Sequence, residues 1–125
     1  MRLTVTFRIL LAVLTAAAAL PVHAADTAQT MLVIDGSGSM WGRFETDKRA
    51  KIDVARDLLK SKIESANGHA IGLTSFGHRR KSDCSDVEVI AEPGSDPAPV
   101  LDPLAKLNPR GKGPLVAGLR EAVAA

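Results

Sequence analysis

The chain has 125 residues, with 16 Lys and Arg against 14 Asp and Glu, one Cys, one Trp, three Phe and no Tyr. The two arginines that tip the charge balance, Arg2 and Arg8, both precede an apolar run; without residues 1–24 the charges stand at 14 and 14, which leaves no basic arm for nucleic acid and no acidic tail. Residues 25–125 suffice for one modest domain, and with so few aromatics its core must come from Leu, Ile, Val and Ala.

The leader comes first. Arg2 and Arg8 give a positive start, Ile9 to Leu20 is apolar apart from one Thr, Pro21 breaks the run, and Val22-His23-Ala24 supplies the small residues a signal peptidase needs. About a dozen apolar residues fall short of the roughly 20 needed to cross a hydrocarbon core. The expectation is a signal peptide over 1–24 cleaved after Ala24, a linker over 25–29 and a domain over 30–125. The product is then periplasmic or secreted, with no stable membrane anchor after cleavage. No Cys follows the apolar run, which argues against a lipid anchor, and the lone Cys84 has no disulfide partner within the chain.

Thr30 to Ile34 is a continuous apolar run of strand length, suited to a central strand of a parallel sheet covered by helices. It ends abruptly in Asp35-Gly36-Ser37-Gly38-Ser39. Met40 to Lys48 reads as a loop containing Trp41 and Phe44. From Ala50 the spacing turns helical: Ile52, Ala55, Leu59 and Ile63 form a stripe with Leu58 beside it, and Asp53, Arg56, Asp57 and Lys60 lie opposite. Asn67-Gly68 stops that helix. Ala70 to Phe76 is a second apolar strand, Gly77 to Asp86 a polar, basic connection, and Val87 to Ile90 a short third strand joined by a long hairpin. Val100, Leu101, Leu104 and Leu107 suggest a short helix after a stretch rich in Pro and Gly. Asn108 to Gly113 is turn-rich, and Pro114 suits the first position of a last helix carrying Leu115, Leu119 and Val123. The order β-α-β-β-α-α implies an α/β fold whose opening strand-helix-strand unit is a parallel, right-handed crossover, with only three strands in its sheet.

In open α/β sheets ligands bind beyond the carboxyl ends of the strands, where Asp35 sits. One carboxylate and two hydroxyls at alternate positions can point into one small volume, with Gly36 and Gly38 letting the backbone fold around it. Such hard oxygen donors select Mg²⁺, Mn²⁺ or Ca²⁺. The plain alternative is a strand–helix turn that uses Ser and Gly for turn chemistry. A phosphate-binding loop fails because the Gly-Lys-[Ser/Thr] ending is missing, and a nucleophile elbow fails because neither serine has glycine on both sides at distance two.

The segment Met31-Leu-Val-Ile-Asp-Gly-Ser-Gly-Ser-Met-Trp-Gly42 resembles the opening of a von Willebrand factor A domain, whose Asp-x-Ser-x-Ser begins the metal-ion-dependent adhesion site. The helix that follows, the strand Ile71 to Gly77, and Asn108-Pro-Arg-Gly-Lys-Gly-Pro-Leu115 fall where that family has them. Met40-Trp41-Gly42 and Gly77-His-Arg-Arg-Lys-Ser-Asp-Cys84 are similar to exported bacterial members. The resemblance spans roughly residues 29 to 125 and implies the N-terminal part of a doubly wound fold with a central first strand. It implies Asp35, Ser37 and Ser39 as ligands of Mg²⁺ (or Mn²⁺ or Ca²⁺), and a protein partner that offers an acidic residue to the ion. Two departures weaken the site: the usual Thr of the second metal loop is Gly113, and the Asp of the third loop is not in these 125 residues. Exported members commonly carry further cysteines after a fourth strand, one of which could pair with the position of Cys84.

Other groupings are less specific. Cys84 with His78 has no third group to orient a nucleophile, and His69, His78 and Cys84 match no zinc spacing. Arg79, Arg80 and Lys81 form a basic tip, either a solubilising hairpin end or a contact for an acidic partner or polyanion. Trp41, just past the metal loop, either packs under the loop or stays partly exposed as a binding anchor. The sequence therefore points to a non-enzymatic, cation-dependent binding module. Its alternatives are a metal-assisted hydrolase using the same loop, which lacks a visible base or nucleophile, and a truncated gene product without independent function.

Overall fold

A computed structural model describes residues 28–125. The expected signal peptide and cleavage site lie outside the described residues. Within them the order is strand β1 (Gln29–Asp35), a 3₁₀ turn (Gly38–Trp41), helix α1 (Lys51–Glu64), strands β2 (Ala70–Phe76) and β3 (Val87–Gly94), and helices α2 (Ala98–Lys106) and α3 (Leu115–Ala124). The sheet has three strands in the order β1-β2-β3, with β1 parallel to β2 and β3 antiparallel to it. The α/β class, the parallel crossover through α1 and the long hairpin are as the sequence implied.

β2 is the centre of the molecule. Ile71 to Phe76 are all buried, as expected of a strand covered on both faces. Alternation sends Ile71, Leu73 and Ser75 to one face and Gly72, Thr74 and Phe76 to the other. The first face holds the main core: Ile34, Ile71 and Leu73 meet Ile52 and Ile63 of α1, Val100 and Leu104 of α2, and Leu107 beyond it. Helix α1 presents the expected stripe, although Leu58 stays exposed at 63%. Its charged side carries the Arg56–Asp53 pair at 2.9 Å, and Arg56 also bonds the carbonyls of Leu104 and Leu107, tying α1 to α2. Asn67 and Gly68 both adopt positive φ (49° and 84°) and end the segment after α1.

β1 lies at an edge of the sheet, since no described strand pairs with its outer side. Two expectations need correction. β3 runs to Gly94 rather than stopping at Ile90; an edge strand tolerates Pro93, which has no N–H to offer a ladder, and the pairing with β2 shifts register on the way. In α3, Leu115, Leu119 and Val123 do not face the sheet. They are 53%, 47% and 88% exposed, and the buried position of the helix is Gly118, set against the Phe76 ring.

Candidate metal-ion and partner-binding site

Three chain segments meet at the carboxyl ends of β1 and β2. Gly36 N–H donates to the Phe76 carbonyl at 2.8 Å, Arg110 N–H to the Gly36 carbonyl at 3.0 Å, Gly38 N–H to the Gly111 carbonyl at 3.1 Å, and Gly111 N–H to the Gly77 carbonyl at 2.7 Å. The loop after β1 is thereby laced both to the start of the β2–β3 connection and to the 108–113 loop. Two glycines are required for this closeness. A Cβ on Gly36 would lie 2.6 Å from His78 Cβ, and one on Gly77, which also has φ +71°, would lie 2.0 Å from the Lys112 carbonyl oxygen.

The donor atoms sit within this lacing. Asp35 Oδ1 accepts the Ser37 N–H at 2.7 Å, which fixes the carboxylate against its own loop. Ser37 is buried (6% exposed), its Oγ 2.9 Å from Ser39 Oγ. Two oxygens at that spacing match the edge of an octahedron with metal–oxygen bonds of about 2.1 Å. The three residues named from the sequence are brought together, and their chemistry fits a small hard divalent ion. One formal charge and two hydroxyls leave such an ion under-neutralised, so most of its shell would be water. Gly113 belongs to the same place: a Cβ there would stand 4.0 Å from Ser37 Oγ and 3.6 Å from the Phe76 ring, an ordinary contact distance. A hydroxyl-bearing side chain has room at that position, and glycine supplies none.

The remaining candidates separate. His69 and His78 flank opposite ends of β2, and among the described residues no three His, Cys, Asp or Glu side chains gather as a metal set. His78 Nε2 is 2.9 Å from Glu88 Oε2, while Cys84 is exposed on the connection. Arg79 and Arg80 are organised by a residue that sequence reading passed over. The fully buried Asp86 accepts the N–H groups of Arg79 and Arg80 at 2.7 and 2.8 Å and Arg79 Nε at 2.8 Å. Burial pushes the Asp86 carboxyl up, but the hydrogen bonds from Arg80 and Arg79 outweigh it and leave the group below its ordinary value. Arg80 is also paired with Asp83 at 2.8 Å. An Asp inside a polar, turn-rich stretch carries no sequence signal that it will be buried, so Asp86 could be found only from the fold.

Trp41 resolves between two sequence alternatives by taking something of each. Its Nε1–H donates to the Pro109 carbonyl at 2.9 Å, anchoring the ring over the 108–113 loop, yet the residue is 48% exposed. Arg110, also passed over in sequence, stands beside it. With the Asn108 amide turned to satisfy both groups, its oxygen accepts from Arg110 Nε and a terminal guanidinium nitrogen at 3.2 and 3.1 Å.

Among curated proteins none matches the chain. A crystal structure titled as an uncharacterized membrane spanning protein from Vibrio fischeri is similar in fold, with a TM-score of 0.63 and 23% identity over 78% of this chain. The chain spans 48% of the length of that structure. Among the described residues of the present protein no helix is long and apolar enough to cross a membrane. The sequence also matches the von Willebrand factor type A domain family over residues 30–125, which is most of its length, and the protein belongs to that family.

Proposed function

We propose that this protein is an exported binding module that captures an acidic group of a protein partner through a divalent cation held by Asp35, Ser37 and Ser39. The single observation that carries the reading is the arrangement of this loop, with the two hydroxyls 2.9 Å apart and the neighbouring carboxylate pinned by the Ser37 N–H. Asp35 supplies the charge, and the serines orient the ion. Coordination positions that the protein leaves to water are where a partner carboxylate would enter. The ion supplies a positive centre for that carboxylate, and no bond is made or broken. Export follows from the character of residues 1–24.

Affinity for the ion alone is weak, because Gly113 contributes no oxygen beside Ser37. Calorimetric titration of the protein with Mg²⁺ and Mn²⁺ tests the reading. Asp35→Ala abolishes the heat of binding. Gly113→Thr, which adds a hydroxyl where a Cβ fits without a clash, tightens binding by about tenfold, or ~1.4 kcal/mol. Identical titrations for the parent chain and both variants would reduce the loop to a turn.

A further inference from the structure

Next to the cation loop lies a cleft of about 460 Å³ lined by Gly38, Trp41, Arg79, Lys81, Pro109 and Arg110. Three of these six residues are cationic and none is acidic. A neighbouring cleft that shares Arg110 is mixed in charge, lined by Glu88 and Asp102 as well as Lys106. The excess of positive charge is therefore particular to the side that adjoins the loop, in a domain whose charges over residues 25–125 balance.

Not all three cations are available. Arg79 is held by the buried Asp86, lies 3.5 Å from Glu88, and donates a further bond to the Val87 carbonyl at 2.8 Å. It serves as a fixed, largely neutralised wall. Lys81 and Arg110 make no ion pair with any described residue. Arg110 keeps its backbone in the lacing of the site and is steadied by Asn108, so its guanidinium is a placed donor rather than a wandering one. The Trp41 N–H is already used by the Pro109 carbonyl, which leaves the ring as an apolar, half-exposed surface.

We infer that this cleft is a second anchor for the same partner: it takes a further carboxylate of an acidic peptide segment on Lys81 and Arg110, with the apolar stem of that side chain lying on Trp41. The inference rests on the reading that the partner is acidic, and it deepens that reading by requiring two acidic groups instead of one. Gly38 is the link, since it belongs both to the cation loop and to the wall of the cleft. A carboxylate on the ion therefore brings its neighbours in sequence to the cleft. Carboxylates suit a planar guanidinium beside an ammonium, and charge complementarity of this kind sets partner choice more than raw affinity.

Trp41 is the only tryptophan, so its fluorescence reports the cleft directly. The full exported chain is titrated with two synthetic Gly-Ser peptides, one carrying a single Asp and the other an Asp followed by a Glu pair, in Mg²⁺ and in EDTA. The peptide with the added Glu pair binds about tenfold tighter, the yield of two partly screened ion pairs, and the margin shrinks as salt is raised. Lys81→Gln with Arg110→Gln brings the two peptides within about twofold of each other. Lys81→Gln alone removes part of the margin and guards against a folding defect in the double variant. In Asp35→Ala the Mg²⁺ dependence is lost for both peptides and the margin survives, so failure of the cation reading and failure of the cleft are told apart. Equal affinity of the parent chain for the two peptides overturns the proposal. So does displacement of the peptide by duplex DNA or by anionic phospholipid vesicles at lower charge concentration, which would make the cleft a reader of phosphate.

Discussion

Helices α2 and α3 carry similar apolar spacing and meet the sheet in opposite ways. In α2, Val100 and Leu104 are 1% and 2% exposed, and Leu107 just beyond completes a row against Ile34, Leu73 and α1. In α3, Leu115, Val116, Leu119 and Val123 point away from the protein, while Gly118 rests on Phe76. The reason lies in the two faces of β2. One face offers Ile71 and Leu73, which leave hollows for long side chains. The other offers Gly72, Thr74 and Phe76, and the Phe76 ring already fills the space over the strand end. A helix can approach it closely only through a residue without a Cβ. Apolar spacing thus shows which side of a helix is greasy, but the partner surface decides which side docks.

The largest expected effect tests the α2 side. Leu104→Ala removes a fully buried side chain and leaves a cavity between α2, α1 and the sheet, at a cost of about 2–5 kcal/mol. The matched change on the other helix, Leu119→Ala, removes a half-exposed side chain and costs about 0.5 kcal/mol or less. Urea unfolding followed by circular dichroism measures both. Equal losses would break the comparison, because they would mean that α3 buries its leucines as deeply as α2 does.

Much of this arrangement was legible in the sequence where local chemistry decides it. The run Met31 to Ile34, the Asp-Gly-Ser-Gly-Ser loop and the stripe of α1 announce themselves through composition and period. Asp35, Ser37 and Ser39 stand out in sequence by their alternation with glycine, and in the structure the Asp35 carboxylate accepts the Ser37 N–H while the two serine hydroxyls lie 2.9 Å apart. What sequence could not supply depends on distant partners. Val87 to Gly94 remains a strand across Pro93 because it lies at an edge. Asp86 is buried because two backbone N–H groups and a guanidinium converge on it from Arg79 and Arg80. Arg110 enters the site because a loop far along the chain hydrogen-bonds to Gly36 and Gly77. The inversion of α3 turns on a single contact between Gly118 and Phe76, which no periodicity encodes.

That contact gives a smaller and sharper test. Two effects oppose each other in Gly118→Ala. Helix propensity favours Ala by about 1 kcal/mol in the interior of α3. The added Cβ, however, would stand 2.7 Å from Phe76 Cδ1, and Phe76 is itself only 3% exposed, so the ring has little room to yield. Overpacking of this kind costs about 1–3 kcal/mol, and the clash outweighs the propensity gain. The expected outcome is a net loss of about 1 kcal/mol, seen as a fall in Tm of about 4–8 °C for a domain of this size. Pairing it with Phe76→Leu, which withdraws the ring edge, should recover part of the deficit of the glycine variant. A rise in Tm on Gly118→Ala alone would show that α3 is not seated on Phe76.

The smallest effect on stability is expected on the outward face of α3, and it sharpens the contrast from the other direction. Leu115→Glu with Leu119→Lys replaces two exposed leucines by charges one helical turn apart, with the acid placed N-terminal to the base. That order agrees with the helix dipole and is worth about 0.3–0.5 kcal/mol at most. The leucines contribute little by burial, being 53% and 47% exposed, so the folding free energy should change by less than about 0.5 kcal/mol in either direction. Association should change far more. Leu115, Val116, Leu119 and Val123 form an exposed apolar face, and the outer side of β1 leaves backbone groups unpaired among the described residues. Both features favour contact between copies of the chain. Sedimentation velocity over a range of concentrations should show self-association in the parent chain that weakens in the double variant, with melting curves that nearly superimpose. A loss of 2 kcal/mol or more, with association unchanged, would place these leucines in a core and end the distinction between the two helices.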